Sequence, residues 1–178
     1  MKSLYDLPIG DQAPEVVHMV IEVPARSGNK YEYDKATGMM KLDRVLPGAQ
    51  VYPADYGFVP QTLAEDGDPL DGVLLSTFPL FPGILVEVRP VALIEMEDEK
   101  GPDSKIIAVV TEDPRFDHVK DLADVPPGVL DEVKNFFETY KLLEAKKGKW
   151  VKVTGFKDRA AALAELKASM ERYQKQKA

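Results

Sequence analysis

Short apolar and β-branched runs alternate with turns that contain glycine and proline over the first 110 residues. This pattern is typical of strands, and the near-continuous apolar runs indicate strands that are buried on both faces. The predicted strands in this part of the chain cover residues 16–23, 30–33, 39–45, 73–76, 84–94 and 106–110. Many short strands with turns between them favour a small closed or partly closed barrel.

The last third of the sequence has a mainly helical pattern. Apolar residues recur at three- and four-residue steps over residues 129–143, directly after the helix-start signal at residues 126–127. This periodicity predicts a helix that ends at Gly148, followed by a strand over residues 149–154. Asp158 is placed to cap a final helix. The apolar stripe of that helix consists of Leu163, Leu166, Met170 and Tyr173.

The composition is that of a globular chain. Of the 178 residues, 44% are hydrophobic and 30% are charged, so intrinsic disorder is not expected. No linker or repeat interrupts the pattern, and we expect a single domain over residues 1–178. No apolar run reaches the roughly 18 residues of a spanning helix, and the first residues lack the apolar segment of a signal peptide. The absence of cysteine excludes disulfides and thiolate chemistry and fits a cytoplasmic location.

The net charge of −7 is concentrated in two short segments. Residues 65–71 carry −4 and residues 95–105 carry −3, so the rest of the chain holds equal numbers of acidic and basic residues. On charge alone, two solvated acidic loops remain an alternative interpretation. The acidic balance argues against a broad positive face that would bind nucleic acid.

The first acidic segment, E-D-G-D-P-L-D at residues 65–71, has the composition of a metal site. Gly67 and Pro69 bend the backbone between carboxylates, whose mutual repulsion a bound cation would offset. A calcium EF-hand loop that starts at Asp66 is excluded. Its fifth position would be Leu70, which cannot bind a metal, and its sixth position, which requires glycine, would be Asp71. With two histidines and no cysteine, the oxygen ligands favour hard cations, magnesium first.

The second acidic segment adds Asp98 and Asp103 on either side of a turn at residues 100–102. Four or five carboxylates around one pocket would support two or more divalent ions. Two metals roughly 3.5–4 Å apart can share a water, lower its pKa and stabilise a phosphoryl displacement. A carboxylate that is not used as a ligand can then act as the general base.

Basic and phenolic residues recur beside the predicted strands and turns. Lysine and arginine neutralise phosphate charge, and a tyrosine hydroxyl donates a hydrogen bond without adding charge. Each residue alone is better explained as surface charge or core packing, but together with the carboxylates they predict a site for phosphates. The segments concerned are residues 30–32, 43–44, 52–57 and 140–141.

Taken in order, these segments closely resemble soluble inorganic pyrophosphatase of family I, in its prokaryotic form. The resemblance runs from about residue 13 to the final helix. Its most specific part is the D-G-D-P-L-D segment in combination with the other segments. The other segments that carry it are V-I-E-V-P, K-Y-E, L-D-R, Y-P-A-D-Y-G, M-E-D-E-K-G-P-D-S-K, F-E-T-Y-K and K-G-K-W-V-K-V.

The resemblance implies a role for each matching residue. Asp68 would be the general base that orients and deprotonates an attacking water held between metals, with no covalent intermediate. The metals, Mg²⁺ with Mn²⁺ or other divalent ions as substitutes, would be bound by Asp66, Asp71, Asp98, Asp103 and Glu22. The substrate pyrophosphate would be bound by Lys30, Glu32, Arg44, Tyr56, Lys105, Tyr140 and Lys141. The resemblance gives Tyr52 only a place nearby, and Asp55 and the two histidines, His18 and His118, no catalytic role.

The same resemblance implies an α+β fold with a mainly β core, in which a five-stranded OB-like closed β-barrel is flanked by helices, including a C-terminal helix. It also implies a homohexamer in the cytoplasm, with neither nucleic acid nor membrane as a partner. Three alternatives stay open at this point. They are a metal-dependent phosphohydrolase of nucleotides or polyphosphate, a non-catalytic OB-fold binder of nucleic acid, and a protein that binds metal for regulation.

Overall fold

Nine strands, two α-helices and four short 3-10 helices make up the regular structure of the described residues. The computed structural model describes residues 3–177, apart from the side chain of Ala145. The strands are β1 Val17–Val23, β2 Asn29–Asp34, β3 Met39–Val45, β4 Asp55–Phe58, β5 Asp71–Leu75, β6 Leu85–Asp98, β7 Gly101–Pro102, β8 Lys105–Val110 and β9 Val151–Lys157. The helices are α1 Pro127–Thr139 and α2 Arg159–Lys177.

Five of the strands pair in a closed ring. Strand β1 is antiparallel to β4 on one side and to β6 on the other. Strand β4 pairs with β5, β5 runs parallel to β8, and β8 returns to β6, which closes the ring. The predicted closed arrangement of five strands is therefore confirmed. Strand β6 extends beyond the ring to pair with β7 and β9, while β2 and β3 form a separate hairpin.

Gly57 allows the closest approach within this ring. A Cβ atom at Gly57 would lie 1.9 Å from the carbonyl oxygen of Val20 and 2.9 Å from Cα of Ile21. No side chain fits at those distances, so glycine is required where β4 pairs with β1. This contact fixes the position of the neighbouring Tyr56.

The two helices cover different parts of the apolar core. Helix α1 buries Val133, Phe136 and Phe137 against the larger cluster, which includes inner residues of β5, β6 and β8. Helix α2 buries Ala162 and Leu166 against the second cluster, around β1 and the first residues of β8. The ring is therefore packed on two sides by helices.

The structure corrects two sequence predictions. Strand β4 was not predicted, because its four residues, D-Y-G-F, include an aspartate and a glycine and show neither an apolar run nor an alternation. The helix predicted to end at Gly148 ends at Thr139, and a 3-10 helix follows over Leu142–Lys147. Leu143 continued the apolar periodicity but is 69% exposed.

Other predicted elements are confirmed with shifted ends. The strand expected over residues 149–154 is β9, and the last helix begins where the cap was predicted, because Oδ1 of Asp158 accepts from the backbone N–H of Ala161 at 3.0 Å. None of the described helices is long and apolar enough to cross a membrane.

Candidate active site

The residues that the sequence predicts for catalysis, metal binding and substrate binding line one cavity of about 430 Å³. Strands β1 to β4, the loop before β5, the ends of β6 and β8 and the segment after α1 all contribute to it. Every predicted site residue lines this cavity: Glu22, Lys30, Glu32, Arg44, Tyr56, Asp66, Asp68, Asp71, Asp98, Asp103, Lys105, Tyr140 and Lys141. Residues that lie up to 119 positions apart in the sequence thus face one space.

A tight turn presents the carboxylates of the first acidic segment. Gly67 has φ +92°, a conformation that favours glycine, and it reverses the chain between Asp66 and Asp68. Oδ1 of Asp66 accepts from the backbone N–H of Asp68 at 3.1 Å, and the N–H of Ala64 donates to the carbonyl of Asp68 at 2.7 Å. The turn therefore holds two carboxylates on one side without using a side chain of opposite charge.

Lys105 joins the two acidic segments at the bottom of the cavity. Its Nζ lies 3.0 Å from Oδ2 of Asp71 and 2.7 Å from Oδ1 of Asp103, and the residue is only 3% exposed. Burial opposes its charge, but Asp71 and Asp103 outweigh that cost and raise the pKa of Lys105 above its ordinary value. The Tyr56 hydroxyl donates to the same oxygen of Asp71. Lys105 is therefore a permanent cation between two carboxylates.

A second lysine holds the outer carboxylates. Nζ of Lys141 lies 2.9 Å from Oδ2 of Asp98 and 3.4 Å from Oε2 of Glu99. Burial alone would raise the pKa of Asp98, but the hydrogen bonds from Lys141 and from the N–H of Lys100 lower it. Asp98 is thus an anion, and Lys141 reaches it from the segment directly after α1.

Burial and like charge act on the remaining carboxylates. Burial, followed by Asp66 and Asp71, raises the pKa of Asp68 above its ordinary value. Burial, with Asp71 as the next cause, raises the pKa of Glu22 to about 8. Oε1 of Glu22 accepts from the N–H of Tyr33 at 2.8 Å. A cluster of this kind gains from any cation that enters it.

The β2–β3 hairpin supplies further cations. Lys30 pairs with Glu32, and Nη1 of Arg44 lies 2.7 Å from Oδ2 of Asp43. Within residues 3–177, the buried Nε and Nη2 atoms of Arg44 have no hydrogen-bond partner, although Nη2 lies 3.2 Å from Oε2 of Glu144. Guanidinium donors with this geometry are suited to phosphate oxygens.

The donor set fits a hard divalent cation. In the part of the chain that the structure describes, no group of three or more acidic or histidine side chains converges tightly enough to hold an ion alone. Magnesium keeps several of its waters and takes one or two carboxylates together with substrate phosphate oxygens. Carboxylates that line a cavity without converging on one point leave room for the waters and phosphate oxygens that such a cation also binds.

Sequence reasoning missed part of the lining. Glu99 and Lys100 lie within the second acidic segment and Asp43 beside Arg44, so their motifs could have indicated them. Tyr5 and Tyr33 had no signal in the sequence. The full set of additional lining residues is Tyr5, Tyr33, Asp43, Phe58, Pro69, Glu99, Lys100 and Lys149.

Two residues named from the sequence lie behind the cavity. Tyr52 is buried against Phe136, with ring centroids 4.6 Å apart, and does not line the cavity. Asp55, to which no role was assigned, is fully buried. It accepts hydrogen bonds from the N–H of Ala25 at 2.8 Å, the N–H of Leu80 at 3.1 Å and the Ser76 hydroxyl at 2.6 Å.

A family model and the sequences of known proteins both match this chain over most of its length. A family model described as inorganic pyrophosphatase matches residues 19–174. The inorganic pyrophosphatase of Thermus thermophilus is 69% identical over 173 residues, which cover 97% of this chain and 99% of that protein. The inorganic pyrophosphatase of Aeropyrum pernix is 49% identical over 166 residues, or 92% of this chain and 93% of that protein.

Solved structures show the same likeness. The crystal structure of inorganic pyrophosphatase from Thermus thermophilus matches with a TM-score of 0.96 at 68% identity, covering 97% of this chain and 99% of that one. The inorganic pyrophosphatase structure from Helicobacter pylori matches with a TM-score of 0.89 at 44% identity, covering 94% and 98%. With a family model over most of its length and these relatives, the chain belongs to the inorganic pyrophosphatase family, in its prokaryotic form.

Proposed function

We propose that this protein hydrolyses inorganic pyrophosphate to two phosphates. The observation that carries the proposal is the shared cavity, in which carboxylates from both acidic segments face Lys30, Arg44, Lys105 and Lys141. Pyrophosphate is small and highly charged, so attack by an anionic nucleophile is strongly repelled. Fixed cations around the substrate offset that repulsion and stabilise the departing phosphate.

Asp68 is proposed as the general base. It lies on the turn at Gly67, where no lysine or arginine bonds its carboxylate among the described residues, in contrast to Asp71, Asp98 and Asp103. Its raised pKa makes it a better proton acceptor than an ordinary aspartate. Asp68 would take the proton of a water that attacks phosphorus directly, without a covalent intermediate.

Glu22, Asp66, Asp71, Asp98 and Asp103 are proposed to hold Mg²⁺, for which Mn²⁺ or another divalent ion could substitute. When bound, the metal lowers the pKa of water and neutralises phosphate charge. Lys105 keeps Asp71 and Asp103 oriented toward this space through its two hydrogen bonds. The Tyr56 hydroxyl restrains Asp71 from the other side.

The phosphates are proposed to be bound by Lys30, Glu32, Arg44, Tyr56, Lys105, Tyr140 and Lys141. Arg44 supports this proposal most directly, because its buried Nε has no hydrogen-bond partner within residues 3–177, whereas Nη1 and Nη2 lie 2.7 Å and 3.2 Å from carboxylate oxygens of Asp43 and Glu144. Tyr140 is buried except for its edge on the cavity, and burial raises its pKa, so it stays a neutral donor.

We further propose that residues 1–178 act as one domain, that copies assemble into a homohexamer, and that the enzyme works in the cytoplasm. The family match over residues 19–174 supports the first of these. Sedimentation at micromolar concentration tests the second, and a stable monomer would contradict it.

The deciding experiment is phosphate release from pyrophosphate with and without magnesium. We expect activity only with magnesium, and a loss of about 10²- to 10⁴-fold in Asp68→Asn. Glu65→Gln is the matched control, because Glu65 is exposed in the same segment and does not line the cavity. Hydrolysis of nucleotides or polyphosphate by a protein that leaves pyrophosphate intact would overturn the proposal.

A further inference from the structure

Tyr5, in the segment of residues 4–7, lines the wall of the active-site cavity but lies outside every sequence motif of the site. Leu4–Asp6 is a 3-10 turn that packs on β2 and β4. The ring of Tyr5 meets Tyr33 edge-on at 5.1 Å and Phe58 at 4.9 Å. The N–H of Leu4 also donates to the Tyr33 hydroxyl at 3.2 Å. Tyr5, Tyr33 and Phe58 all line the cavity.

The position of Tyr5 is fixed from three directions. Its carbonyl accepts from the N–H of Gln61 at 2.8 Å. The next residue, Asp6, accepts at Oδ1 from the hydroxyl of Tyr173 at 2.5 Å and from Nζ of Lys177 at 2.9 Å. Because loop and helix both hold this segment, the phenol has a defined place in the cavity wall.

The phenol faces the acidic side of the cavity. Burial, followed by Glu22, Asp68, Asp71 and Glu32, raises the pKa of Tyr5 above its ordinary value. Its hydroxyl therefore remains protonated as a donor. Within residues 3–177 the hydroxyl donates to the carbonyl of Tyr33 at 3.4 Å, which is long for an O–H···O hydrogen bond.

We propose that Tyr5 is a further substrate-binding residue, whose hydroxyl donates a hydrogen bond to a phosphate oxygen of pyrophosphate in this cavity. A lysine or arginine at this place would pair with the carboxylates and compete with a metal for them. A phenol donates without charge, so it can lie among carboxylates and still bind an anionic oxygen. This inference rests on the proposed function.

Tyr5→Phe tests the proposal, because it removes the hydroxyl and keeps the ring that packs on Tyr33 and Phe58. We expect kcat/KM for magnesium pyrophosphate to fall about two- to tenfold, the effect of one lost hydrogen bond, with the melting temperature unchanged. Inorganic phosphate, titrated in the presence of magnesium, should bind more weakly by a similar factor. Tyr31→Phe is the matched control, because the Tyr31 hydroxyl bonds Asn29 at 2.9 Å and does not line the cavity.

Each outcome bears on one claim. Wild-type protein that hydrolyses pyrophosphate, with Tyr5→Phe kinetically equal to it, overturns the role of Tyr5 alone. A lower melting temperature with unchanged kcat/KM also overturns it, because the hydroxyl would then be purely structural. Wild-type protein without pyrophosphatase activity overturns the proposed function itself. Tyr5→Leu, which also opens the wall, should lose at least as much kcat/KM as Tyr5→Phe.

Discussion

The ammonium of Lys141 lies 2.9 Å from Oδ2 of Asp98, although the two residues are 43 positions apart in the sequence. The contact connects the segment after α1 to the end of β6. It places a cation beside a carboxylate that is proposed to hold metal. The pair thus joins a residue proposed to bind phosphate to one proposed to hold metal, as the pairs of Lys105 with Asp71 and Asp103 also do.

Lys141→Met should lower kcat/KM for pyrophosphate by roughly 10²-fold, because the phosphate loses a cation and Asp98 loses its partner. Phosphate release at saturating magnesium measures the effect. Lys157→Met is the control, since Lys157 pairs with Glu95 at 3.7 Å on the surface. A variant of Lys141 with more than half of the wild-type activity would contradict the role of this pair.

Asp68→Asn should raise the melting temperature in EDTA by about 1–3 °C while it abolishes activity. The raised pKa of Asp68 means that its negative charge is unfavourable in the folded state, so a neutral side chain relieves repulsion. Thermal unfolding with EDTA and with magnesium measures this, and Glu65→Gln should change neither curve. Added magnesium should stabilise the wild type more than the variant. A lower melting temperature of Asp68→Asn in EDTA would show that Asp68 is not strained by its neighbours.

Asp55→Ala should destabilise the fold by about 3 kcal/mol, because the two N–H groups and one hydroxyl that it accepts would be left buried without a partner. Urea unfolding gives the free energy. Asp55→Asn keeps an oxygen for the N–H groups of Ala25 and Leu80 and should lose less than half as much. Equal losses in the two variants would show that the charge, and not the hydrogen bonds, is what matters.

The anchor at Asp6 should depend on pH. Hydrogen bonds from Tyr173 and Lys177 lower the pKa of Asp6 below 3.8, so ionised Asp6 stabilises the folded state at neutral pH. That contribution is complete above the unfolded pKa and is lost as the pH falls through the folded one. Asp6→Asn should therefore melt about 1–2 °C below the wild type at pH 7, and the gap should narrow as the pH falls below 3.8.

Glu171→Gln serves as the control for this experiment, because Glu171 is exposed on α2, the helix that carries Tyr173 and Lys177. A gap between Asp6→Asn and wild type that stays constant down to pH 3 would exclude ionised Asp6 as the anchor.

Much of the site could be predicted because its residues lie in short motifs that the chain carries in order. Gly67 and Pro69 predict a turn at residues 65–71 that brings its carboxylates together, and this prediction does not depend on the rest of the fold. The apolar runs likewise predict β1 and β8, since burial on both faces leaves a continuous apolar signal.

The remaining features depend on contacts that no local pattern encodes. Strand β4 is only four residues long and is recognisable as a strand only from its pairing with β1 and β5. The apolar periodicity of α1 continues past its end, because the 3-10 helix over Leu142–Lys147 repeats a similar spacing. Tyr5 enters the cavity only because the segment around it docks on Tyr33 and Phe58.

The hydrogen bonds from Tyr173 and Lys177 to Asp6 affect the order in which parts of the cavity can form during translation. During translation, residues 4–6 leave the ribosome about 170 residues before the two side chains that bind Asp6. Strands of the ring can pair during translation, whereas this wall of the cavity gains its full set of anchors only after α2 has emerged. The segment at Asp6 therefore leaves the ribosome before α2 but is fully anchored only after α2 has packed beside it.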